Sequence, residues 1–414
     1  MTIWHINHTE NDGLFSLVQS MSEDLAELGG KSIFITKKSS IFKDNFLGRV
    51  NLKYIHFIHW VNRAFRKVFT YNNYYFYNVF DFGYFLNHKL ILKTYPKPDI
   101  IILYWVTGFL STKDIEALKK NTGATIYWYL MDMAPITGGC HYLGSCERFY
   151  QGCQNCPAFK VKLFKTIAQN NLKAKSAVFK DSIDGFISAS KTLSIDINRS
   201  KVGKDKMIFE KYVAVNESIF KPRNKSLSQG HFNHFTEKIV LFSGARSLKE
   251  ERKGFHYVLE ALEYLVTYHN AVSKDILLLL AGSIDEKDAT LIPVEYHSLG
   301  YLNIENLALA YNLSDFFINS TIEDAGPMMV NQSLMSGIPV ISFPVGVAKD
   351  LVKDGITGFI TQNIDAKELA LKILDAYNLS TSQLTIMSQN ARRESIDKFG
   401  HDKSKKILFS LINN

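Results

Sequence analysis

Residues 320–346, STIEDAGPMMVNQSLMSGIPVISFPVG, decide how this 414-residue chain is read. A small polar turn places Glu323 and Asp324 just before Gly326-Pro327, and a helix-like segment follows as far as Ser336-Gly337. The chain then re-enters a buried strand, Pro339 to Phe343. Pro at a first helical turn and Gly past the last are the punctuation of such a helix. Carboxylates ahead of a helix start, whose free N–H groups hold an anion, suit a phosphorylated ligand. An ordinary βαβ corner is the alternative, and these residues alone do not separate the two.

Upstream lies an α/β series: strand Ile239–Phe242, loop Ser243–Gly254, helix Phe255–Leu265, strand Ile276–Ala281, a short helix over Leu307–Asn312 and strand Phe316–Ile318. Gly244 and Gly282 sit at strand ends, where a parallel sheet admits ligands. Arg246, Lys249, Arg252 and Lys253 bring positive charge to that edge, which suits a diphosphate near a helix start. A solvated charged loop is the competing reading. The polar stretch Pro222–Glu237 reads as a linker. Beyond Gly358 the pattern is mostly helical, with a last helix around Lys405–Leu411.

The first half opens with strand Ile3–Ile6, a polar turn through Asn11-Asp12-Gly13, an amphipathic helix from Leu14 to Leu28 and strand Ile33–Thr36. The first turn of this βαβ unit lies where open sheets bind ligands, but its low glycine content makes a weak phosphate signal. Strands recur at Ile100–Tyr104, Thr125–Leu130 and Gly185–Ala189, with a helix around Lys113–Lys120 and an extended segment at Lys211–Val215.

The length predicts two domains. A hydrophobic fraction of 46% with 21% charged residues describes a soluble globular protein. No apolar run reaches the roughly eighteen residues of a membrane span, and the N-terminus lacks a charged-then-apolar leader, so the cytoplasm is the expected location. The net charge of +8 is concentrated in residues 31–100, which hold 12 Lys/Arg against three acids. That asymmetry points to an anionic partner. Residues 54–85 carry 14 aromatics in 32 positions. Ile58, Val61, Phe65, Val68 and Phe69 fall on one helical face, with His59, Arg63, Arg66 and Lys67 opposite. Such a helix lies in a membrane interface or packs on its own domain. All four cysteines, Cys140, Cys146, Cys153 and Cys156, fall within 17 residues and end in a C-x2-C knuckle. Structural zinc, with His141 able to replace a ligand, is one reading; free thiols and disulfides are the others.

At this point the chain resembles the retaining GT-B glycosyltransferases of family 4 over nearly its whole length. EDAGPMMVNQSLMSGIPVISFPVGVAKDLVKDGITGFI is similar to the family's acidic motif, helix and following strand. SGARSLKEERKGF resembles its phosphate-binding loop, and VAVNESIFKP its inter-domain stretch. WYLMDMAPITGGCHYLGSCERFYQGCQNCP resembles a block of a subgroup from bacterial polysaccharide clusters. The resemblance implies an α/β GT-B fold, two Rossmann-like domains facing each other across a cleft. Residues 1–215 would be the acceptor-side domain, 216–395 the nucleotide-sugar domain, and 396–414 a helix returning toward the first. It implies that Lys253 and Arg246 contact the donor diphosphate, Arg252 being a substitute for Arg246. Glu323 or Asp324 would be the catalytic acid near the transferred sugar. Gly326, Pro327, Met328, Met329 and Val330 would line the donor, Gln332 would hold the ribose, and Gly13 would approach the donor from the first domain. Asp132, Met131 and His141 would lie on the acceptor side.

Two departures stand out. Gln332 replaces a usual Glu and is neutral. Met131 stands where many relatives have His and moves no proton; His5, His8 or His141 is a candidate to cover that loss. The implied activity is transfer of a hexosyl group from a UDP- or GDP-linked sugar to a lipid-linked saccharide acceptor in cell-surface polysaccharide synthesis. No cofactor would be required, since Arg, Lys and helix-end amides stabilise the leaving phosphate. The expected partners are the nucleotide sugar, the acceptor and a membrane surface met through residues 54–85. That sets the protein peripherally on the inner face of the plasma membrane. Nucleic acid is not expected, because the basic residues adjoin aromatics suited to lipid. A nucleotide-sugar epimerase and a degenerate sugar-nucleotide binder are the alternatives.

Overall fold

A computed structural model describes residues 1–10, 13–71, 75–77, 79, 87–232 and 237–413. The turn residues Asn11 and Asp12, and most of the tyrosine-rich stretch 71–85, lie outside the described residues. The chain divides into two compact units, Met1–Lys211 with Lys405–Asn414, and Tyr212–Ser404.

In the first unit, β1 (Thr2–Ile6), β2 (Lys31–Ile35), β3 (Ile100–Leu103), β4 (Thr125–Leu130), β5 (Gly185–Ser188) and β6 (Met207–Glu210) form a sheet in the order β2-β1-β3-β4-β5-β6. Every pairing is parallel. Strand β3 is buried at all four residues, Ile-Ile-Ile-Leu, the continuous apolar run of a parallel strand covered on both faces. The last strand of this sheet is Met207–Glu210, which the sequence reading did not mark, just ahead of the segment at Lys211–Val215. Helix Thr112–Thr122 starts at a capping box between Ser111 and Asp114 and stops at left-handed Gly123. The tail helix His401–Ile412 buries Leu408 and Leu411 and accepts a hydrogen bond from Tyr127 at the Leu411 carbonyl, 3.1 Å. The unit boundary falls inside this helix, between Ser404 and Lys405.

Helix Phe46–Phe69 begins 12 residues before the apolar face read from sequence and turns most of that face inward: Ile58 is buried, Val61, Phe65 and Phe69 are half-buried, and Phe65 and Phe69 pack on Phe164. It buries Gly48, Asn51, Ile55 and Ile58. Val68 is 59% exposed, and Phe57 and Trp60 are exposed at 57% and 65%. Its outer side is therefore aromatic as well as basic.

The second unit holds β7 (Ile239–Ser247), β8 (Ile276–Ser283), β9 (Glu295–Gly300), β10 (Phe316–Asn319), β11 (Val340–Ser342) and β12 (Gly358–Ile360). Their order is β12-β11-β10-β7-β8-β9, again with parallel pairings. Strand β9 carries no apolar run, which is why the sequence pattern passed over it. The supposed linker contains a helix, Lys225–Phe232, with Ser228 buried and Phe232 against the core. Two apolar clusters, centred on Phe242, Leu277 and Phe317 and on Leu278, Phe316 and Ile341, cover opposite faces of the sheet.

Candidate functional site

In the second unit the chain runs β7, β8, β9 to one side and then crosses to place β10 on the other side of β7. The crevice at the carboxyl ends of β7 and β10 is thus a topological switch point, where open α/β sheets receive ligands. The loop after β7 and the opening stretch after β10 meet there. Gly254 has φ +65°, and a Cβ on it would lie 2.0 Å from the Ser320 carbonyl oxygen. That close approach lets Ser320 Oγ donate to the Lys253 carbonyl at 2.9 Å and the Ile322 amide donate to the Arg252 carbonyl at 2.9 Å.

With the two backbones laced together, Lys253 Nζ donates to Asp324 Oδ2 at 2.8 Å and Arg252 Nη1 donates to the same oxygen at 3.0 Å. Arg252 also pairs with Glu250 at 2.9 Å. The other carboxylate oxygen, Oδ1, accepts from the Gly326 amide at 3.2 Å. Burial pushes the Asp324 carboxyl up, but the Lys253 and Arg252 charges and these hydrogen bonds outweigh it, and the net shift is downward. Asp324 is therefore a fixed anion that holds two cations at the switch point. Glu323, beside it, is half-buried. The structure brings Arg252, not Arg246, to this group; Arg246 is exposed, and its carbonyl accepts from Ser283 Oγ at 3.2 Å. Arg252 adjoins Lys253 at the tight Gly254 turn, which carries both cations to Asp324.

Helix Met328–Met335 starts at Pro327 (φ −63°, ψ 103°) directly after this cluster. Its first turn leaves backbone N–H groups without intrahelical partners. Gly326 and Pro327 are buried, Met328 and Met329 half-buried, and Val330 buried in the core. Tyr311, which sequence reasoning missed, fixes the helix start from below: its hydroxyl donates to the Met329 carbonyl at 3.0 Å, with Gln332 Oε1 3.4 Å away as the alternative acceptor. Gln332 is buried. No periodicity marks Tyr311, since only packing brings its helix, Ile304–Leu313, under the site.

In the first unit Met131 and Asp132 follow β4. Asp132 Oδ2 bonds His141 Nδ1 at 2.6 Å, and Oδ1 accepts from the Ala134 amide at 2.9 Å. His141 Nε2 is buried with no hydrogen-bond partner among the described residues. An aspartate that orients one imidazole nitrogen leaves the other available as an acceptor. His5 cannot serve: its nitrogens meet Tyr104 Oη at 2.9 Å and Ser32 Oγ at 3.1 Å, and burial pushes its pKa down to about 3. His8 bonds the Thr107 carbonyl at 2.7 Å. Gly13 is the first residue of helix Gly13–Glu27, after β1.

All four cysteines are free thiols, and among the described residues no three His, Cys, Asp or Glu side chains gather as a metal site. Burial raises the Cys140 and Cys156 thiols, the latter to about 11, and the neighbouring sulfurs add to the rise. The Cys140 thiol feels all three of the other sulfurs, Cys146, Cys153 and Cys156.

Residues 225–394 match the family described as Glycosyl transferases group 1. Across 100% of this chain, the structure is similar to sucrose-phosphate synthase from Thermosynechococcus elongatus (TM-score 0.69, 14% identity, 98% of that chain). It is similar over the same span to a glycosyltransferase from Rickettsia africae ESF-5 (0.64, 16%, 97% of that chain). The chain carries the two Rossmann-like domains of the GT-B fold. Another GT-B-like neighbour, Anabaena Alr3699/HepE in complex with UDP-glucose, aligns at TM-score 0.63 with 13% identity over 100% of both chains. In sequence, the chain is 24% identical over 233 residues to the capsular polysaccharide biosynthesis glycosyltransferase CapM of Staphylococcus aureus, 55% of this chain and 60% of that protein. Among the described residues no helix of this GT-B chain is long and apolar enough to cross a membrane.

Proposed function

We propose that the protein is a retaining glycosyltransferase that moves a hexosyl group from a nucleoside-diphosphate sugar to a lipid-linked glycan acceptor in surface-polysaccharide synthesis. The carrying observation is the convergence of Arg252 and Lys253 on Asp324 at the β7–β10 switch point, ahead of the helix start at Met328. Two cations and a helix N-terminus are suited to a diphosphate whose charge grows as it leaves. The group 1 match over residues 225–394 and the UDP-glucose complex of Alr3699/HepE support this reading. Asp324 positions the cations. Glu323 faces the transferred sugar, with the Gly326–Val330 backbone beside it and Gln332 toward the ribose.

On the acceptor side, the Asp132–His141 pair supplies the imidazole that Met131 does not. The exposed aromatic face of helix Phe46–Phe69, flanked by Arg63, Arg66 and Lys67, supports peripheral membrane binding. The test is a panel of UDP- and GDP-sugars with a membrane acceptor extract, read as released nucleoside diphosphate. Turnover that survives Lys253→Ala combined with Arg252→Ala would overturn the site assignment.

A further inference from the structure

The first unit has its own switch point. The chain goes from β1 to β2 on one side and then crosses to β3 on the other, so the crevice opens at the carboxyl ends of β1 and β3. Three basic side chains from three elements meet there: His8 after β1, Lys37 after β2, and His59 from helix Phe46–Phe69. Lys37 Nζ lies 3.2 Å from His8 Nε2 and 3.4 Å from His59 Nε2. His59 Nε2 also reaches the Gly108 carbonyl at 3.2 Å. Gly108 has φ +64°, and a Cβ there would lie 1.9 Å from His59 Nε2, so only glycine admits the ring. Trp105 stacks on His8 with ring centroids 5.2 Å apart. Lys37, His8 and His59 are all half-buried, reachable yet partly desolvated.

This is an arrangement the fold alone does not favour. Like charges a hydrogen bond apart repel, and among the described residues no carboxylate stands within ion-pair range of Lys37. Among the described residues, the charged and titratable groups on the surrounding elements are Glu10 after β1, which accepts from Thr36 Oγ1, Lys38 after β2, and His56 and Arg63 on the helix. The loop from Trp105 to Gly108 adds no charge. The fold tolerates the cluster by keeping it largely neutral. Burial pushes Lys37 down to about 7; burial and then Lys37 push His8 down to about 4; the same two causes lower His59.

We propose that Lys37, His8 and His59 form a binding site for a phosphoryl group, carried by the acceptor. Once protonated, the Lys37 ammonium and the two imidazoles present N–H donors from three elements, which match a tetrahedral oxyanion better than a planar carboxylate. The same helix that supplies His59 turns its aromatic side to solvent, which places the site beside a surface suited to lipid. A bound dianion restores the protonated forms, so binding is coupled to proton uptake. Assignment of the phosphoryl group to an acceptor rests on the transferase reading; phosphoryl binding itself does not.

The experiment is calorimetric titration of the full chain with inorganic pyrophosphate near pH 7.5, in buffers of different ionisation enthalpy. Lys253→Met serves as background so that the second unit does not contribute. Expected are binding with net proton uptake, at least tenfold weakening by Lys37→Met or His59→Gln, and no comparable binding of acetate. Circular dichroism of both variants checks folding. Equal affinity with and without Lys37, or binding that vanishes entirely on Lys253→Met, overturns the site. A transfer assay separates the two readings: Lys37→Met is expected to raise KM for a phosphorylated acceptor more than tenfold and leave the donor KM alone. Comparison of a soluble glycosyl phosphate with phosphatidylcholine vesicles carrying a polyprenyl phosphate identifies which source of the phosphoryl group the site takes.

Discussion

Lys253 Nζ and Asp324 Oδ2 lie 2.8 Å apart although the residues are 71 positions apart in the chain. The contact joins a loop on one strand to a loop on the strand beside it, and it shares its carboxylate oxygen with Arg252. A double-mutant cycle on Lys253 and Asp324 is expected to give a coupling energy of about 1–3 kcal/mol, the range for partly buried charges in one network. Chemical denaturation of the four proteins measures it, and a coupling near zero would show that the pair is not formed in solution.

Acid should dissolve this network. The folded Asp324 carboxyl is held below its ordinary value of 3.8, so its contribution to stability is present above the unfolded value and lost as pH falls through the folded one. The stability difference between the wild type and Asp324→Asn is expected to be constant from neutral pH down to about 4 and to shrink below that. Urea midpoints across this range provide the check.

Gly254→Ala is expected to lose at least about 1–3 kcal/mol, the cost of a non-glycine residue in a strained backbone region. It forces a left-handed residue against the Ser320 carbonyl, only 2.0 Å from the new Cβ. Donor turnover should fall with it, since the same approach carries the Lys253–Ser320 bond. A variant with wild-type stability and activity would contradict the close packing of the two loops.

His141→Phe keeps an aromatic ring edge-on to Trp105 but removes the nitrogen oriented by Asp132. If the ring moves a proton, kcat should drop about a hundredfold or more. Donor binding, followed by calorimetry with the nucleoside diphosphate, should be unchanged. A fall in affinity without a fall in kcat would leave the imidazole a purely structural role.

Charge on the outer face of helix Phe46–Phe69 should decide vesicle binding. The double substitution Phe57→Asp and Trp60→Asp replaces two exposed aromatics and is expected to abolish co-sedimentation with anionic vesicles while leaving thermal stability unaltered. Retained sedimentation would move the membrane contact elsewhere.

Residues 320–346 announced by themselves a turn, a helix and a strand, because Gly326-Pro327 and Ser336-Gly337 act on the local backbone whatever surrounds them. The strand runs Ile100–Leu103 and Ile276–Ala281 likewise fixed a parallel α/β architecture, since only sheets covered on both faces need such continuous apolar stretches. The same reading located Lys253, Asp324 and Gln332. What the sequence could not settle was which groups face one another across strands that are neighbours only in the sheet. Arg252 rather than Arg246 at Asp324, Tyr311 beneath the helix start, and Lys37 between His8 and His59 all follow from sheet order and loop approach. Those are long-range properties, set when a crossover places β10 beside β7 and β3 beside β1.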